Sequence, residues 1–146
     1  MRYIKIDSSL IVKKVSYIFI LLCLILKTNI AFSQAQNNKT HIDSLKNIYI
    51  NTSGREKLEN YLELSRAYWE QDPSEAIQIS LEALAHAKNL DYFKEAAKAM
   101  YYLGCAYHIN NQYSLALEYL HDAYRYSNTH KFLKINAETT LQLGIV

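Results

Sequence analysis

At 146 residues and 17.0 kDa the chain suits a single domain. Three glycines and one proline argue against a turn-rich β fold and against a glycine-rich phosphate loop, and two cysteines cannot build a disulfide framework or a four-cysteine zinc site. The formal charge of +2 belongs largely to the segment 1–33.

Residues 1–33 read as an export signal. Arg2, Lys5, Lys13 and Lys14 make a basic start, Val15 to Leu26 is an uncharged apolar run, and Ala31 and Ser33 give the small-x-small pattern of a cleavage site before Gln34. An uncleaved anchor is the competing reading, but a spanning helix wants about 20 apolar residues, and the run before Lys27 is shorter. Cys23 follows Leu21 and Leu22, so it reads as an apolar filler and not as a lipidated cysteine. Cleavage removes five cations and Asp7 and leaves the mature chain near −2. It is expected to be periplasmic or secreted. No basic patch recommends nucleic acid as a partner, and membrane association is expected only through the signal or a further domain.

The stretch 34–40 is polar and reads as a flexible linker. From His41 the apolar residues follow helical spacing, and six helices are expected at 41–51, 54–70, 73–88, 91–109, 113–127 and 131–146. Ser53 with Glu56 fits a capping box. Asp72 followed by Pro73 and Glu75 fits a second helix start, with proline in the first turn where no N–H is needed. Asn89 with Asp91, Asn110 with Asn111, and Ser127 to Thr129 mark further breaks.

The helices repeat. Tyr61, Leu64, Ser65 and Tyr68 recur as Met100, Leu103, Gly104 and Tyr107, an offset of 39. Ala76, Ser80, Ala83 and Ala87 recur as Ala116, Leu120, Ala123 and Ser127, an offset of 40, and Thr140, Leu143 and Gly144 open a third copy. Positions i, i+3, i+4 and i+7 share one helix face. On that face the small residue (Ser65, Gly104, Gly144) lets a partner helix approach. A lone helix pair cannot bury its apolar faces, so successive pairs must stack.

The pattern Met100, Leu103, Gly104, Tyr107, Ala116, Leu120, Ala123 resembles the tetratricopeptide repeat, in a long-period bacterial form. The copies are about 54–90, 91–130 and an incomplete 131–146. The period is longer than that of the ordinary repeat, and the closing proline is absent. The resemblance implies an all-α solenoid of stacked antiparallel helix pairs over 41–146. It also implies a protein or peptide ligand held on the concave surface lined by the first helix of each pair. By register, the first copy would offer Glu59, Leu62, Arg66 and Trp69 to that groove. The second would offer Lys98, Tyr101, Cys105 and His108, and the third Glu138, Leu141 and Ile145. An exported chain of this type is similar to the sensory or scaffold portion of bacterial envelope signalling proteins. A stand-alone adaptor is the alternative, since the final helix has an uncovered apolar face that a second copy or a continuation of the chain would cover.

No catalytic group or cofactor is expected. Cys105 and His108 share a helix face, with His121 and Asp122 on the next helix, but neither a metal-ligand motif nor an oxyanion loop accompanies them. The carboxylate pairs Glu59/Glu63 and Glu118/Asp122 read as solvated helix surface. Tyr61, Tyr68 and Tyr107 read as packing residues, while Tyr101, Tyr119 and Tyr126 fall off that register and are candidates for exposed anchors.

Overall fold

A computed structural model describes residues 8–146. Arg2, Lys5 and Asp7 of the signal region lie outside the described residues. Among the described residues there are six helices and no strand, an all-helical structure. Helix α1 spans Ser8–Asn51, a stretch without glycine or proline. The chain divides into two units, one ending at Lys39 and one covering Thr40–Val146.

In the first unit the apolar side chains from Tyr17 to Leu26 are exposed around the helix, Cys23 alone being half-buried. This helix is long and apolar enough to cross a membrane by length and composition. Residues 34–40, expected as a linker, are helical instead. Their Gln, Ala and Lys residues favour helix, and neither proline nor glycine interrupts them.

The second unit contains the last turns of α1, then α2 (Gly54–Tyr68), α3 (Pro73–Asn89), α4 (Phe93–Ile109), α5 (Tyr113–Thr129) and α6 (Leu133–Leu143). Helix α3 starts as expected: Pro73 occupies its first turn and Asp72 Oδ1 accepts from the Glu75 amide at 3.1 Å. The capping box at α2 does not form. Ser53 has extended backbone, but its side chain makes no cap bond.

Helices α3, α4, α5 and α6 begin at Pro73, Phe93, Tyr113 and Leu133, so their starts are evenly spaced along the chain. The turns explain the even spacing. Asp91, Asn111 and Lys131 each take a left-handed conformation, with φ of 53°, 59° and 60°. In each turn the next residue donates to a carbonyl five residues back: Tyr92 to Ala87, Gln112 to Tyr107 and Phe132 to Ser127, at 2.8–2.9 Å. This is the Schellman closure, which satisfies the last free carbonyls of a helix. Helix α5 therefore runs through the break expected at Ser127 to Thr129 and ends at Thr129, two residues past the expected end at 127. Ser127 is buried and donates to the Tyr124 carbonyl at 3.1 Å.

Among α2 to α6 each helix packs on its neighbours in the chain, and α4 also touches α2 and α6. Alternate helices α2, α4 and α6 thus form one row. Leu58, Leu62, Met100, Tyr102 and Leu103 fill the space between them and the alanine faces of α3 and α5. Each such buried leucine is worth roughly 1.5–3 kcal/mol. A smaller cluster joins Ile42 of α1 to Leu64 and Ile79.

At two of the small repeat positions, 65 and 104, the helices approach closely, whereas Gly144 meets only carbonyls of its own last turn. A Cβ on Gly104 would stand 2.5 Å from Leu120 Cγ and 3.2 Å from the Ala116 carbonyl oxygen. In the first pair Ser65 takes the place of Gly104. Its hydroxyl lies 2.9 Å from the Ala76 carbonyl, to which it donates, and 2.6 Å from the Ser80 hydroxyl. Gly104 with Leu120 and Ser65 with Ser80 are two solutions of one volume constraint: a missing side chain facing a large one, or two small ones bonded together.

That equivalence is testable by a double-mutant cycle. Gly104→Ser should clash with Leu120 and cost about 1–3 kcal/mol, and Leu120→Ser should cost about 2–5 kcal/mol. The double variant recreates the Ser65–Ser80 pair, so urea unfolding should show a loss smaller than the sum by at least about 1 kcal/mol. Strict additivity would refute the equivalence.

Candidate binding groove

The row of alternate helices encloses a groove of about 300 Å³. Helix α2 contributes Glu63 and Arg66, α4 contributes Lys94, Lys98 and Tyr102, and the turn into α6 with its first two turns contributes Phe132 to Ile135 and Glu138. The spacings 94/98/102 and 134/138 are i, i+4 rows, which place each set along one helix face.

Glu63 is the hub of the groove. Its Oε1 accepts from Lys98 Nζ at 2.6 Å and from the Tyr102 hydroxyl at 3.1 Å, and Arg66 Nε lies 3.8 Å from Oε2. Burial alone would raise the carboxyl's pKa, but the Lys98 hydrogen bond and charge, helped by Tyr102 and Arg66, hold it below the usual range. The Tyr102 hydroxyl is pushed up, first by burial and then by Glu63. Lys134 Nζ lies 3.9 Å from Glu138 Oε1. Trp69, the single tryptophan, closes the end of α2 with its ring edge-on to Tyr102 at 5.1 Å and to Tyr101 at 6.5 Å.

Of the residues expected in the groove, Arg66, Lys98 and Glu138 line it. Glu59 is exposed on α2 outside the lining, and Trp69 and Tyr101 are half-buried against each other. Leu62 and Cys105 must be corrected. Leu62 is fully buried in the core and Cys105 is 3% exposed, because both point into the helix packing, so neither offers surface to a ligand. His108 stands in the α4–α6 seam, where its Nδ1 lies 3.2 Å from Gln142 Nε2. Leu141 on α6 and Ile145, just past the end of that helix, are 71% and 67% exposed, outside the lining. Glu63, Lys94, Tyr102 and the run Phe132 to Ile135 line the groove without having been marked by the repeat register. One signal was present: Lys94 and Lys134 occupy equivalent positions in successive copies of the repeat.

The off-register tyrosines also pack. Tyr119 stacks on Tyr107 at 5.4 Å, and Tyr126 lies 4.7 Å from the His130 ring, which is itself stacked between Phe93 and Phe132. Burial pushes the Cys105 thiol up to about 12, so at neutral pH it is a protonated thiol and not a nucleophile. His121 is exposed on α5, and among the described residues no three His, Cys, Asp or Glu side chains gather to hold a metal ion. Comparison with protein-family models finds no match, and comparisons with curated proteins and with solved structures likewise find none.

A carboxylate whose folded pKa is depressed adds stability above its unfolded pKa and loses it as pH falls through the folded value. Glu63→Gln should therefore lower Tm relative to the parent at pH 6. The gap should begin to narrow as pH falls past the unfolded glutamate value of about 4.3 and go on narrowing through the lower folded one, as Glu63 takes up its proton. A gap that persists unchanged to pH 3 would mean that the Lys98–Glu63 bond contributes nothing.

Proposed function

We propose that this chain is a non-catalytic binding module of the tetratricopeptide type, exported behind its N-terminal apolar helix. It would hold a protein or peptide segment in the groove between α2, α4 and α6, acting as a scaffold or sensory element. The observation that carries this reading is the row itself: helices two apart in the chain touch each other and jointly line one groove. The even spacing of the helix starts and the small residues at 65 and 104 support a stack of helix pairs, since each pair repeats the same turn and the same close approach.

A ligand in the groove must pass over Leu133, which is 82% exposed. A photo-crosslinking amino acid at position 133, introduced in the native host, should give a discrete protein adduct. The same group at Glu118, exposed on α5, should not. Equal adducts at both positions, or adducts at 118 alone, would refute the groove assignment. Export is tested separately by sequencing the N-terminus of the isolated protein, which should begin at Gln34. Recovery of the uncut chain from the membrane fraction would show an anchor instead.

A further inference from the structure

Charge in the groove is unevenly matched. Arg66, Lys94, Lys98 and Lys134 face only two carboxylates, Glu63 and Glu138. Glu63 is shared by Lys98 and Arg66, and Lys94 is exposed with no ion-pair partner among the described residues. The Lys134 side chain is 89% exposed, so its 3.9 Å approach to Glu138 is a weak surface contact. The groove therefore carries two surplus positive charges, in a chain whose residues 34–146 are net negative. Beside these cations lies an apolar wall. Phe132 is half-buried, and Leu133 is among the most exposed large apolar side chains of the unit.

Surplus cations and an exposed apolar wall define a ligand of mixed character. An extended peptide turns alternate side chains to opposite sides. One that alternates carboxylates with apolar residues can meet both features at once. A nucleic acid fits worse. It carries a charge at every residue, and Glu63 and Glu138 would repel an unbroken phosphate run. The volume is at the small end for a binding site, which suits a short single segment.

We propose that the groove takes an acidic, extended segment of a partner protein, its carboxylates on Lys94 and Lys134 and its intervening apolar side chains on Phe132 and Leu133. This rests on the groove reading above and adds the chemistry of the occupant.

The probe is a fluorescein-labelled hexapeptide of alternating aspartate and leucine with both ends blocked. Its anisotropy is followed with the full chain in non-ionic detergent. Binding should weaken at least tenfold in Lys94→Glu/Lys134→Glu, and by less than about twofold in the charge-matched Lys39→Glu/Lys88→Glu, both variants melting like the parent. Rising salt should weaken it as well. Equal binding of a hexapeptide with glutamine in place of aspartate would overturn the acidic ligand and leave the groove standing. Displacement by a single-stranded oligonucleotide at lower concentration than by unlabelled peptide would overturn it in favour of a polyanion. A tenfold gain from a free C-terminal carboxylate would overturn it in favour of a chain end. No hexapeptide binding, with the position-133 adduct still formed, would overturn the acidic ligand alone; loss of both would overturn the groove as well.

Discussion

The fold depends on how closely paired helices can approach at one repeated position. At Gly104 there is no room for a methyl group, because Leu120 occupies it. At Ser65 the space is shared by two hydroxyls that satisfy each other and the Ala76 carbonyl. A buried hydroxyl without a partner would cost about 1–3 kcal/mol, so the serine solution works only as a pair. Both solutions draw the second helix of the pair onto one side of the first. The other side of each first helix is left free to meet the first helix of the next pair. The row of α2, α4 and α6, and with it the groove, follows from that division of faces.

The turns keep the row in register. Each Schellman closure ends one helix and sets the next one going at the same interval along the chain. Left-handed backbone costs an ordinary residue about 1–2 kcal/mol, yet Asp91, Asn111 and Lys131 all adopt it. The strain is tolerated because each closure satisfies carbonyls of the last helical turn that would otherwise lack an intrahelical partner. Because the turn is the same each time, Lys94 and Lys134 return to equivalent places, and the groove collects cations that are scattered along the chain.

Much of the helical order was legible in the amino-acid pattern. The small positions 65 and 104, the start at Asp72 and Pro73, and the breaks at Asp91 and Asn111 could all be read from residue type and spacing. The end of α5 could not, because a lysine at position 131 does not advertise a left-handed turn. The stretch 34–40 misled because asparagines suggest a loop, although nothing in it breaks a helix. On α2 and α4 the pattern marks Arg66 and Lys98, which line the groove, together with Leu62 and Cys105, which are buried. Register through the small residues places Leu62 and Cys105 correctly on their helices, but it does not say which neighbour covers them. Net charge hid the cationic cluster for a related reason: a sum over the chain cannot show that four cations from three helices converge.

The even spacing of the helices makes the chain intolerant of counting errors. One residue added or removed within a helix rotates everything beyond it by about 100°. An insertion in α4 would swing Tyr102, Gly104 and Cys105 out of their slots together. Inserted residues in a connecting turn would open the Schellman closure and leave the faces in phase. Related chains should therefore vary in length at the turns and be nearly constant in length within helices, as the teeth of a gear keep their pitch while the spokes between hub and rim can differ.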